Sequence, residues 1–168
     1  MTTRTDLPAS FDERTMLTTF LDYTRATVHA KCADVAAAGA RSAPLPSSPL
    51  MTLSGIVNHL RWVENWWFDV VFQDLPNTAP WTEEDIDREW RIAVERPIDE
   101  LLAEYEQQCQ RNRELVARLD LDTPAKNTVR DGLTVTLGWI VLHMVEETAR
   151  HNGHLDVLRE LADGVVGD

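Results

Sequence analysis

The stretch Trp139 to His154 reads WIVLHMVEETARHNGH and holds three of the chain's five histidines beside a glutamate. On a helix advancing roughly 100° per residue, His143, Glu147 and His151 step forward by about 40° each, and His154 falls between Glu147 and His151. The stripe continues through Ile140 and Leu158, so the pattern predicts that it faces the protein interior. Buried imidazoles and a carboxylate must be satisfied by hydrogen bonds or by a metal ion. Glu147 and His151, four residues apart, can close on one ion from a single helix face. A third ligand must come from elsewhere, and His59 sits on the inner side of an earlier apolar helix, near Gly55, Val63 and Trp66 on the wheel. A His, Glu, His set leaves one position open for water or substrate, which is the mark of catalytic rather than structural zinc. Such an ion lowers the pKa of a bound water or thiol and acts as a Lewis acid.

Other readings of the same residues stand beside this one. An inner-face histidine is commonly hydrogen-bonded to a carboxylate, and a Glu/His pair at this spacing is often only a helix-face pair. His143 makes the same four-residue step to Glu147 and is an alternative ligand, while His154 is an alternative ligand or a hydrogen-bonding support for one. A ferritin-like di-iron centre is disfavoured, because the chain lacks two Glu-x-x-His pairs with two further glutamates. Gly153 within a helix costs about 1 kcal/mol relative to Ala, which suggests close packing or a ligand channel beside it. Trp62, Trp66 and Trp67 read as core residues, one of which near His59 would wall a pocket. Arg61 and Arg150 fit solvent-facing or helix-pairing positions better than an acidic-substrate site.

Four long helices must position these groups. Ser10-Phe-Asp-Glu13 has the form of a capping box, and Met16, Phe20, Tyr23, Thr27 and Ala30 recur at helical steps, predicting a helix from about Phe11 to Ala38 that Gly39 ends. The Pro-rich segment 42–49 is a loop, and Thr52 caps a second helix from Leu53 to about Gln73. Thr82-Glu-Glu-Asp85 caps a short helix ending near Trp90. Pro97 opens a third long helix with Ile98, Leu101, Leu102, Tyr105, Cys109, Asn112, Leu115, Val116 and Leu119 on its inner side. Asp131-Gly132 suits a small hairpin turn, and Thr136 caps the fourth helix, which ends near Ala162. The whole predicts an all-α, single-domain helical bundle over residues 1–168, with segments 75–96 and 120–135 crossing its ends.

Composition narrows the partners. A formal charge of -12 opposes binding to a phosphate backbone, so no nucleic acid is expected. No run is long and apolar enough to span a bilayer, and the first residues form no apolar leader, which predicts a cytoplasmic protein without a membrane partner. Cys32 and Cys109 have no CxxC spacing and read as buried reduced thiols. Neither a phosphate-cradling glycine loop nor a Gly-x-Ser-x-Gly elbow occurs. Self-association as a homodimer through the outer helix faces stays open.

Leu53-Ser-Gly-Ile-Val-Asn-His59-Leu followed by Val141-Leu-His-Met-Val-Glu-Glu147-Thr-Ala-Arg-His151-Asn-Gly-His154 resembles the DinB-like superfamily across the whole chain. Within it, the match is to an uncharacterised actinobacterial-type branch related to the mycothiol-dependent maleylpyruvate isomerases. The resemblance implies a four-helix bundle with up-down-down-up connectivity and a divalent metal held by His59, Glu147 and His151. Many relatives carry histidine where this chain has Glu147, and glutamine where it has His154. One oxygen ligand suits zinc, taken first, or nickel, iron or manganese. The resemblance also implies mycothiol or a similar small thiol as cosubstrate, bound through sulfur at the open position as a thiolate that attacks a small electrophile. A thiol S-transferase or thiol-dependent isomerase follows, the alternative being a non-catalytic, metal-stabilised binding or structural module.

Overall fold

The computed structural model describes residues 4–167. Its helices are α1 (Glu13–Cys32), α2 (Ala37–Arg41), α3 (Leu53–Asn65), which runs on as a π-helical stretch (Trp66–Phe72), α4 (Arg88–Ala93), α5 (Ile98–Arg118) and α6 (Leu137–Asp163). Among the described residues no strand forms; two isolated antiparallel bridges join Pro124 to Thr136 and Val129 to Leu133. The chain is thus an all-α bundle of four long helices. No helix among the described residues is long and apolar enough to cross a membrane.

Side-chain chemistry sets the helix starts. Thr52 accepts from the Gly55 amide and Thr136 from the Trp139 amide, the expected caps of α3 and α6. For α1 the cap is Asp12, which accepts from the Thr15 amide, while Ser10 accepts from the Asp12 amide one turn earlier. The predicted first helix is divided: it stops at Cys32, Asp34 turns with φ 56°, and Gly39 lies inside α2 instead of ending a helix. The Thr82 to Asp85 segment closes a turn on itself, with the Thr82 hydroxyl accepting from the Asp85 amide, so α4 begins only at Arg88. Asp131 and Gly132 both take positive φ, the conformation of a type I′ turn, between the bridged Val129 and Leu133.

Side-chain pairing gives the helix directions. Thr24 faces Asn152 and Lys31 faces Arg159, so α1 and α6 run the same way. Arg61 meets Glu104 and Glu64 meets Asn112, so α3 and α5 also run together. His59 lies beside His151 and Trp67 beside Trp139, so α3 and α6 are opposed. Parallel neighbours α3 and α5 need a connection spanning the bundle, which explains the long segment that carries α4.

Two apolar clusters fill the bundle. One contains Val28, Leu60, Cys109 and Leu155; the other contains Leu21, Phe68, Val116 and Met144. Between these positions every long helix contributes buried polar groups: Arg25 on α1, Glu64 on α3, Asn112 on α5, and Thr148 and Asn152 on α6. Arg25 donates twice to Glu64 at 2.7 Å, and Asn112 donates to the same carboxylate at 2.7 Å. This pair corrects the predicted face of the first helix. Of that face Thr27 is buried, but Phe20 is 43% exposed and Ala30 is exposed, while Leu21, Thr24, Arg25, Val28 and Cys32 point inward. An interior arginine breaks the apolar rhythm that the periodicity relies on.

Candidate metal centre

The inward side of α6 is centred on Ile140, Met144, Thr148, Leu155 and Leu158, so the stripe of His143, Glu147, His151 and His154 borders the core half-buried instead of facing into it. From that border Glu147 and His151 meet His59 of α3. One donor atom from each of the three residues lies within 4.8 Å of the others. The Glu147 Oε1 oxygen is 3.3 Å from His151 Nε2 and 3.5 Å from His59 Nε2. Hydrogen bonds to both histidines hold the Glu147 carboxyl well below the usual carboxylate range.

The other ring nitrogens are occupied. His59 Nδ1 is 2.7 Å from Oε1 of Glu89, whose side chain lies in α4 and whose residue is 4% exposed. With Nδ1 protonated and donating to Glu89, His59 turns Nε2 toward Glu147. Burial disfavours the His59 cation, yet the hydrogen bonds to Glu147 and Glu89 outweigh it and raise the pKa above the ordinary histidine value. His151 Nδ1 is 3.4 Å from His154 Nδ1, so His154 meets the back of one histidine of the cluster. Burial and the neighbouring His151 push the His154 pKa down.

Three contacts made by two adjacent residues of α3 hold α4 in place. The Asn58 amide donates to the Glu89 carbonyl at 2.7 Å, His59 meets the Glu89 side chain, and Trp90 stacks on His59 with centroids 4.5 Å apart. Gly55 makes this approach possible, since a Cβ there would come within 2.9 Å of Trp90 Cε3 and 3.1 Å of the Leu50 carbonyl. Neither Glu89 nor Trp90 was predicted at the site. Their helix is short and irregularly capped, and no periodicity relates them to His59.

His143 is not brought to the cluster. It stacks on Trp139, with centroids 5.0 Å apart, and meets Trp67 edge-on at 4.7 Å. Gly153 is exposed, and a Cβ there would meet nothing within 4 Å, so neither close packing nor a crowded channel accounts for it. Arg150 pairs with Glu146 on the surface, and Arg61 pairs with Glu104 across α3 and α5, as their positions suggested. Beside His59 lies a cavity of about 290 Å³ lined by Val63, Trp66, Trp67 and Trp81 as well.

The arrangement offers two imidazoles and a carboxylate to one point, with a carboxylate braced behind the His59 ring. Such a donor set fits a borderline divalent cation such as zinc. The chain's own sulfur is out of reach for chemistry. Cys32 and Cys109 are both buried and free, and burial pushes the Cys32 thiol up to about 12 and that of Cys109 well above its usual value. A thiol reacting here must therefore be brought in from outside.

A family model described as "MST: Mycothiol-S-transferase" matches residues 16–164, in agreement with the DinB-like resemblance of the two helix motifs. No curated protein matches the chain.

Proposed function

The chain belongs to the mycothiol-S-transferase family, and from that membership we propose a divalent-metal-dependent enzyme that joins a small thiol of the mycothiol type to a small electrophile. The observation that carries the metal part of this reading is the convergence of His59, Glu147 and His151 within 4.8 Å. In the proposal these three residues hold the ion, zinc first, with nickel, iron or manganese also compatible with the donor set. When bound, the ion supplies a Lewis acid that favours the thiolate form of a coordinated thiol.

The protein's own residues do the rest by position. Glu89 fixes the tautomer and tilt of His59, and His154 meets Nδ1 of His151, so both rings direct Nε2 at Glu147. Trp90 covers one face of His59 and limits water on that side. The aromatic cavity on the His59 side offers room for a reactant beside the nucleophile. A single domain in the cytoplasm, where small thiols stay reduced, completes the proposal.

Elemental analysis and a conjugation assay test it together. The purified protein should carry close to one divalent ion per chain and conjugate mycothiol to an electrophile, and His151→Ala should lose both. Stoichiometric metal that stabilises the fold, with no thiol-dependent turnover on any electrophile, would instead favour a non-catalytic, metal-stabilised module.

A further inference from the structure

We infer that the cavity walled by Trp66, Trp67 and Trp81 is a binding site for flat, uncharged aromatic molecules, and, resting on the function proposed above, that it receives the electrophile. Val63 and His59 complete the lining, so among the described residues no lysine, arginine, aspartate or glutamate faces the cavity, and its volume of about 290 Å³ suits one substituted ring better than a polymer or a lipid chain. In the metal-free protein an anionic ligand there would give up its hydration without gaining a partner charge from the walls.

The construction of the walls points the same way. Trp66 remains 37% exposed although water is a poor solvent for an indole, which leaves apolar surface for a ligand to cover. Trp66 belongs to the π-helical stretch that follows α3, a distortion of the kind often found at functional sites. Trp81 comes from the irregular segment before α4 and meets Trp62 and Trp66 edge-on, each with centroids 6.4 Å away. Edge-to-face contact is one of the two arrangements that aromatic rings prefer, and a flat ring entering beside them can continue the pattern. A cation could also favour aromatic walls, but a divalent ion at the neighbouring His59 would repel it.

A larger cavity, about 390 Å³ between α1 and α5, is less suited to this role. Its arginines are engaged: Arg14 donates to the carbonyls of Val116 and Leu119, Arg25 to Glu64, and Arg113 to Asp22. None of the three converging residues lines it.

With 1-chloro-2,4-dinitrobenzene as the electrophile, the thiol sulfur forms a bond to the ring carbon that bears chlorine, the C–Cl bond breaks with its electron pair leaving on chloride, and the thiol proton passes to buffer.

Two measurements on the full-length protein test the inference. Equilibrium dialysis with 1,3-dinitrobenzene, which is unreactive toward thiols, should give saturable binding with or without zinc. Trp81→Ala should weaken that binding by several-fold to about tenfold, the range expected for losing an aromatic contact, while Trp81→Phe should largely retain it. In the same dialysis, 3,5-dinitrobenzoate without zinc and benzyltrimethylammonium with zinc bound should each bind at least tenfold more weakly. In the metal-loaded protein with mycothiol, Trp81→Ala should raise the KM for 1-chloro-2,4-dinitrobenzene more than it lowers kcat.

Absent saturable binding to folded protein, equal affinity in Trp81→Ala, or tighter binding of either charged analogue would overturn the inference. The dialysis needs neither metal nor thiol, so the two readings can fail separately. Dinitrobenzene binding without conjugation on any electrophile overturns the enzyme and keeps the ligand class. Conjugation without such binding does the reverse.

Discussion

Oε1 of Glu89 lies 2.7 Å from Nδ1 of His59, and this contact joins the short α4 to the candidate metal centre. The second oxygen of the same buried carboxylate has no partner among the described residues, so His59 is the group that Glu89 serves. Removing its charge while keeping its shape isolates that service. Glu89→Gln should leave the fold intact and weaken zinc binding by about 10- to 100-fold, measured by competition with a chromophoric chelator. An unchanged Kd would mean that the contact only anchors α4.

Acid should release the metal earlier than an ordinary histidine would suggest. Glu147 and Glu89 raise the pKa of His59 over the opposing effect of burial, and a ligand nitrogen must be unprotonated to bind. The sign follows directly: the proton competes below the raised pKa, so affinity should begin to fall at a pH above about 6.5. From His59 alone the loss should approach about tenfold per pH unit. Zinc titrations across pH 5.5 to 8 check this, and a decline confined to pH below about 6 would contradict it.

Breaking the Arg25 to Glu64 pair should cost stability. Both residues are almost fully buried, at 2% and 0% exposure, so Glu64→Gln leaves the guanidinium with only Asp22, 3.3 Å from its Nη1, as a counter-charge. The expected loss is about 3–5 kcal/mol in urea unfolding. Replacing both, as Arg25→Met with Glu64→Leu, should be less damaging than either single change.

Gly153→Ala should stabilise the protein. The added methyl meets nothing within 4 Å, and the residue lies inside α6, so the gain is that of helix propensity, about 1 kcal/mol. Zinc affinity should stay unchanged. By contrast Gly55→Ala forces Trp90 from His59 and should cost about 1–3 kcal/mol, read as a lowered Tm.

The four long helices and the His59, Glu147, His151 convergence were legible in the sequence for one reason each. Caps such as Thr52 and Thr136 mark helix starts locally, and the four-residue step from Glu147 to His151 is a property of one helix. What was hidden depends on contacts between distant segments. Glu89 is 30 residues from His59, and its meeting with that ring is fixed by Asn58 and by the space over Gly55, neither of which has a periodic signature. The inward turn of Arg25 was masked in the same way, because its partner Glu64 is on another helix. His143 is the converse case: its spacing to Glu147 also matches that of a ligand, but its ring stacks on Trp139 and meets Trp67 edge-on.

The polar groups that interrupt the hydrocarbon halfway along each helix work as an indexing notch. Sliding α5 by one turn, about 5.4 Å, in the direction that brings Val116 opposite Glu64 would put an apolar side chain in place of Asn112 and remove one of the donors to that buried carboxylate. The same slip in α3 would carry His59 out of level with Glu147 and His151, a set that spans only 4.8 Å. Alignment of three atoms at the rim is therefore enforced by charges deep inside, where no reactant goes.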